Sequence, residues 1–125
     1  MHKENNRSVL LVILILLGVG LRFFAMLVGH NNDFESYCIV GDIVCAGGNV
    51  YAETHRYNYG PIFFHIQGLC WWLSQFFGAN AILVFRVCIV SILTIVDAGI
   101  MWWLMKRFTW KHGIVFFLNP VSIII

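Results

Sequence analysis

Charge is what this chain has least of. Only 11% of its 125 residues are charged, whereas 60% are hydrophobic, and the mean hydropathy is +0.81. Soluble domains carry about 25% charged residues, so acidic and basic side chains are less than half as frequent as a water-facing surface needs. Disorder is excluded, because its signature is low hydrophobicity with high net charge. The net charge is only +2, and the eight Lys and Arg residues form no basic stripe, so no nucleic-acid partner is expected. C-x-x-C and H-x-x-x-H spacings are also missing, which removes the usual thiolate zinc site. In place of charge the chain has long apolar blocks, and the solvent that suits them is the lipid bilayer.

The first block runs from about Ser8 to Val28 and is interrupted only by Arg22. A basic start with Lys3 and Arg7 is shared by signal peptides. Their apolar centre, however, is about 7–15 residues and ends in a small-residue cleavage site. Here Phe23 to Val28 prolong the block and no A-x-A pattern follows, so a retained transmembrane helix is expected. Arg22 either snorkels to the headgroups or faces the protein interior as a cation for an anionic partner.

Residues 29–60 are polar and hold four of the six acids: Asp33, Glu35, Asp42 and Glu53, the other two being Glu4 and Asp97. Asp33 is placed to cap a short interfacial helix over 34–45, with Phe34, Tyr37, Cys38, Val44 and Cys45 on its apolar stripe. Gly47-Gly48 supplies a left-handed helix ending, and Tyr51, Tyr57 and Tyr59 suit a headgroup-level aromatic belt. A shorter and wetter block follows over 61–77, with His65, Gln67, Ser74 and Gln75. The next, about 81–105, is long enough to span and contains Arg86 and Asp97. After Lys106, Arg107 and Lys111 comes the start of a further helix over 113–125, which ends in an apolar run. On that ground the sequence reads as the N-terminal part of a longer multi-pass domain.

The expected fold class is therefore all-α: polytopic transmembrane helices with an extracytoplasmic loop carrying a short interfacial helix. Cytoplasmic loops collect Lys and Arg, which puts the N-terminus and the 106–111 loop on the same inner side, with an even number of crossings between them. The 61–77 segment then enters from the outer face and returns. The alternative is three ordinary spans, with Lys106 and Arg107 outside. In either case 29–60 is the outer loop.

Of the four cysteines, Cys70 and Cys88 read as small buried hydrophobes. Cys38 and Cys45 are about 10 Å apart along one helix, beyond disulfide reach. Arg86 and Asp97 share a helix face but stand about 16 Å apart, so each implies a partner elsewhere. In Asn32-Asp33-Phe34-Glu35-Ser36-Tyr37, two carboxylates sit where the chain leaves the first helix. They read either as acids favoured at a helix N-terminus or as groups able to take a proton from a hydroxyl or hold a cation.

The order of the pieces is more specific. Leu21-Arg22 is followed by Asp33-Phe34-Glu35-Ser36-Tyr37, Gly47-Gly48-Asn49-Val50-Tyr51 and Arg56-Tyr57-Asn58-Tyr59-Gly60-Pro61. Arg86 with Asp97 and then Phe117-Leu118-Asn119-Pro120 complete the series. This resembles the start of the GT-C superfamily of integral-membrane glycosyltransferases, in particular its mannosyl- and glucosyltransferase branches. Their hallmarks are a D-x-[DE] motif in the first outer loop, G-x-x-[VL]-Y, a Y-x-P-like entry to the next segment and a later L-N-P. Tyr59-Gly60-Pro61 departs from the commoner Y-P-P.

The resemblance implies sugar transfer from a polyprenyl-phosphate-linked donor to an acceptor hydroxyl on the extracytoplasmic face. The setting would be the plasma or inner membrane, or the endoplasmic reticulum in a eukaryote. Asp33 and Glu35 would be the catalytic acids, or ligands of a divalent cation (Mg or Mn) where one is used. Arg22, His30, His55, Arg56 and Tyr57 would contact substrate. The donor-binding residues of the family's later loops have no counterpart in these 125 residues, so the segment alone is expected to be inactive. The competing reading is a small non-enzymatic helical membrane subunit or a transporter fragment, with Asp97 and Arg86 as buried polar locks.

Overall fold

A computed structural model describes residues 2–29 and 32–123. It is all-helical: 84% helix and no strand among the described residues. Among the described residues seven helices follow in order: α1 (His2–Val28), α2 (Asn32–Cys45), α3 (Val50–Glu53), α4 (Pro61–Gln75), α5 (Ala81–Arg107), α6 (Trp110–Phe117) and α7 (Pro120–Ile123), with a 3-10 turn at Gly78–Asn80 before α5. Two stretches are long and apolar enough to cross a membrane, Asn6–Val28 and Gly78–Arg107. Most of their apolar side chains face outward, among them Val12, Leu16, Leu27, Ile82 and Ile95. In water such surface would be costly; in lipid it is matched.

The element boundaries differ from expectation at three places, each for a local reason. α1 starts at His2 rather than near Ser8, since helix continues backward through residues that tolerate it. α2 begins at Asn32, so Asp33 lies inside the first turn instead of capping it. The last block is broken after Phe117, because Pro120 cannot donate the hydrogen bond a continuing helix needs.

The chain forms two compact units, residues 1–29 with 90–125 and residues 30–89. In the first, Met101, Ile114 and Phe117 are the buried centre, packed by Leu11, Leu14, Ile15 and Val19 of α1. Two glycines permit this closeness. A Cβ on Gly18 would stand 2.7 Å from the Phe117 ring, and one on Gly113 would collide with Met105. Arg22 meets Asp97, Gly18 meets Phe117, and the Arg7 guanidinium lies over the Trp110 ring at 5.4 Å. Arg7 also shares a surface hollow with Met105 and Phe108. These contacts make α1 parallel to α6 and antiparallel to the C-terminal part of α5. The basic residues Arg7 and Lys111 therefore line the same end of this unit.

In the second unit α2 packs on α4. Its buried face is Ser36, Tyr37, Val40 and Gly41, with Val44 against Gly68. The expected stripe was displaced: Tyr37 is buried, but Cys45 is exposed, and Val40 is the deepest apolar residue on α2. Close approach again rests on glycine, because a Cβ on Gly41 would come within 2.7 Å of Trp71 Cβ. Gly47, at φ 76°, ends α2 in the left-handed form expected of it, with the Gly48 N–H donating to the Ile43 carbonyl at 2.9 Å. Asn49 caps α3 through its side chain, and Glu53 returns a bond to the Asn49 N–H.

Candidate functional site

The acidic turn of α2 and the loop joining α3 to α4 lie in the second unit, and five of the seven expected site residues belong to them. Asp33 and Glu35 are both exposed in the first turn of α2. Their charge suits that position, because the helix dipole favours anions there. Arg56 comes from the loop; its guanidinium stands 3.7 Å from the Glu35 carboxylate, with both side chains nearly half exposed. Screening at that exposure leaves such a pair worth under about 1 kcal/mol. Its value is positional: it places a cation beside Glu35.

The loop itself is held by aromatic packing. Tyr37, Tyr51, Tyr57, Tyr59, Phe63 and Phe64 meet edge to face at centroid distances of 5.4–6.1 Å. The Tyr57 hydroxyl donates to the Gly60 carbonyl at 2.7 Å and the Tyr51 hydroxyl to the Tyr59 carbonyl at 3.1 Å. The tyrosines thus form one cluster, which fixes the backbone carrying His55 and Arg56. Burial pushes the Tyr37 phenol well above its usual range, helped by the Tyr59 hydroxyl and by the charge of Asp33. Burial likewise raises Tyr57. Both stay neutral donors at any physiological pH. Burial pushes the Cys38 thiol up to about 11, against a lowering pull from Arg86.

The expected site residues are only partly brought together. Asp33, Glu35 and Arg56 share the α2 end of this unit, and His55, exposed, is next to Arg56 in the loop. Tyr57 is buried with its hydroxyl engaged, so its place is in the packing that shapes the loop. His30 lies outside the described residues.

Arg22 belongs to the first unit and is 4% exposed; its Nη2 donates to Asp97 Oδ2 at 2.8 Å, and that aspartate is 13% exposed. Its Nη1 donates to the carbonyls of Phe117 and Gly18 at 2.9 and 3.1 Å, and its guanidinium lies over the Phe117 ring at 4.2 Å. Arg22 does not snorkel: it is the interior cation, and Asp97 is its anion. The partner that Asp97 implied is thereby found.

Arg86 was missed as a site residue. Its guanidinium sits 4.6 Å over the ring of Phe34, which lies between the two acids in sequence. The signal was present, an arginine inside an apolar block, but nothing in the sequence paired it with α2.

A divalent cation is poorly served by these residues. In α2 the side chains of Asp33 and Glu35 leave the axis about 200° apart, so they do not converge on one ion. Among the described residues no group of three or more His, Cys, Asp or Glu could hold a metal. All four cysteines are free thiols.

No protein-family model matches the chain, nor does any curated protein or any solved structure.

Proposed function

We propose that this chain is the membrane-embedded N-terminal region of a glycosyltransferase that uses a polyprenyl-phosphate-linked sugar on the extracytoplasmic face. The observation that carries the reading is the first turn of α2. It presents two exposed carboxylates, Glu35 beside Arg56, at one end of a helix whose Phe34 is covered by Arg86. The chemistry needs those groups. A carboxylate takes the proton of the acceptor hydroxyl as its oxygen bonds to the anomeric carbon. The bond from that carbon to the phosphate oxygen breaks, and the polyprenyl phosphate leaves with the electron pair. Its growing charge calls for fixed cations, and Arg56 and Arg86 are the candidates in this unit.

Asp33 is assigned as base because the first acid of the family's outer-loop motif falls on it, with Glu35 as the second member, beside Arg56. His55 and His30 are acceptor or headgroup contacts. Arg22 is left out, because its guanidinium is committed to Asp97. The sidedness of this reading is supported by the antiparallel packing of α1 and the C-terminal part of α5. With both crossing, the basic ends share the cytoplasmic face, the acidic turn lies outside, and α4 makes no separate crossing.

A second reading is favoured by one observation, the buried Arg22–Asp97 pair. Ionisable groups at membrane depth are costly unless paired, and a helical subunit without enzymatic activity needs such a lock and nothing more. Sugar transfer by the full chain in membranes separates the two. Asp33→Asn is expected to lower turnover by about 100-fold or more, the contribution of a general base, with the protein still folded. Undiminished transfer in Asp33→Asn would remove Asp33 as base, and absence of transfer by the wild-type full-length protein would favour the subunit reading.

A further inference from the structure

The hollow at the basic end of the first unit is lined by none of the residues assigned to sugar transfer. It is open, about 450 Å³, and lined by Arg7, Met105, Phe108, Thr109, Trp110 and Lys111. Two of its six lining residues are cations and none is acidic. The sole described acid of this unit with its side chain in view, Asp97, is taken by Arg22. The rest of the lining is of a different kind. The Arg7 guanidinium lies over the Trp110 ring at 5.4 Å, and Phe108 is exposed. Thr109 offers a hydroxyl within 2.8 Å of the His112 ring. Immediately along the same helices the surface becomes apolar and open, with Val9, Leu10, Trp102 and Trp103 all exposed.

We propose that this hollow binds the phosphate of an anionic glycerophospholipid on the cytoplasmic leaflet. Arg7 and Lys111 hold the phosphate oxygens, and the acyl chains lie along the exposed apolar sides of α1 and α5. The shared chemistry is that of a phosphate anion between two cations. The lipid source is chosen because the residues that follow the cationic hollow along α1 and α5 are exposed and apolar. Basic pockets beside membrane helices on the inner face recognise such headgroups. Tryptophan suits the level at which headgroup gives way to tail. This inference rests on α1 and α5 crossing the membrane and is independent of catalysis.

The test is binding of dioleoyl phosphatidylglycerol, dioleoyl phosphatidylcholine and inorganic phosphate to the detergent-solubilised full chain, read by native mass spectrometry and by thermal unfolding. Phosphatidylglycerol is expected to bind at least tenfold more tightly than phosphatidylcholine, and to raise the unfolding midpoint. Arg7→Gln with Lys111→Gln is expected to erase that preference, whereas Arg7→Lys keeps it. Should the double variant not fold, Lys111→Gln by itself, on an exposed side chain, is expected to weaken phosphatidylglycerol binding severalfold. Equal binding of the two lipids, or an unchanged preference in the glutamine variants, would overturn the proposal. Inorganic phosphate binding as tightly as phosphatidylglycerol would overturn the lipid assignment and leave a site for a soluble anion.

Discussion

At the scale of single residues, two arginines in apolar sequence meet different fates. Arg22 is satisfied by a carboxylate 75 positions away, two carbonyls and an aromatic face. Arg86 is covered by the ring of Phe34. Removing one partner of a buried pair strands the other charge, which costs about 3–5 kcal/mol. Asp97→Asn is therefore expected to lower the resistance of the chain to thermal unfolding in detergent, and Arg22→Gln combined with Asp97→Asn to recover part of the loss. Equal stability of Asp97→Asn and wild type would show that the pair is not a lock.

Titration gives a second residue-scale prediction. A thiol raised from 9.0 to about 11, as burial does to Cys38, is neutral in the folded state. The folded state thus holds its proton where the unfolded one loses it. That contribution to stability is whole below pH 9 and is lost as pH rises through about 11. Alkylation of Cys38 at pH 8 should be slower than that of a free cysteine by on the order of 100-fold; mass spectrometry of the modified site reads it. What sequence could reveal at this scale was demand. Asp97 required a partner, and for Arg22 a partner was one of two open fates, but a contact spanning 75 residues leaves no mark in local pattern.

At the scale of elements, the blocks themselves were legible, because runs of apolar residues and their polar breaks dictate where helices stand in lipid. The α2 ending at Gly47 was legible too, since only a left-handed residue closes a helix that way. The face of α2 was less so. Its buried stripe is set by what α4 offers, and α4 offers Gly68 to Val44 and Trp71 to Gly41; those are tertiary facts. The short α3 depends on a side-chain cap from Asn49 and was not foreseen.

Glycine contacts yield a paired test. Alanine in place of a helical glycine gains about 1 kcal/mol in propensity. At Gly20, with open space around it, Gly20→Ala is expected to be neutral or stabilising. At Gly41, a Cβ meets Trp71, so Gly41→Ala is expected to destabilise by about 1–3 kcal/mol despite the same gain. Thermal unfolding of both variants in one detergent compares them, and identical shifts would show that the approach of α2 to α4 is not limited by Gly41.

At the scale of the whole molecule, scarce charge is sorted by location. Arg7 and Lys111 share one end of the first unit, while four of six acids lie in the stretch between α1 and α4. The candidate site was legible in part. The acids and Arg56 follow from the order of motifs, whereas Arg86 and the aromatic clamp on the loop depend on packing. The account rests on sidedness: sugar transfer on the outer face is coherent only if the acidic turn lies there. Single cysteines at Asn6, Thr109 and Asn58, in a chain otherwise freed of cysteine, can be labelled in intact cells with a membrane-impermeant maleimide. Asn58→Cys is expected to be labelled, with Asn6→Cys and Thr109→Cys both protected until the membrane is opened. Label at Thr109→Cys in intact cells, or protection at Asn58→Cys, would contradict this sidedness.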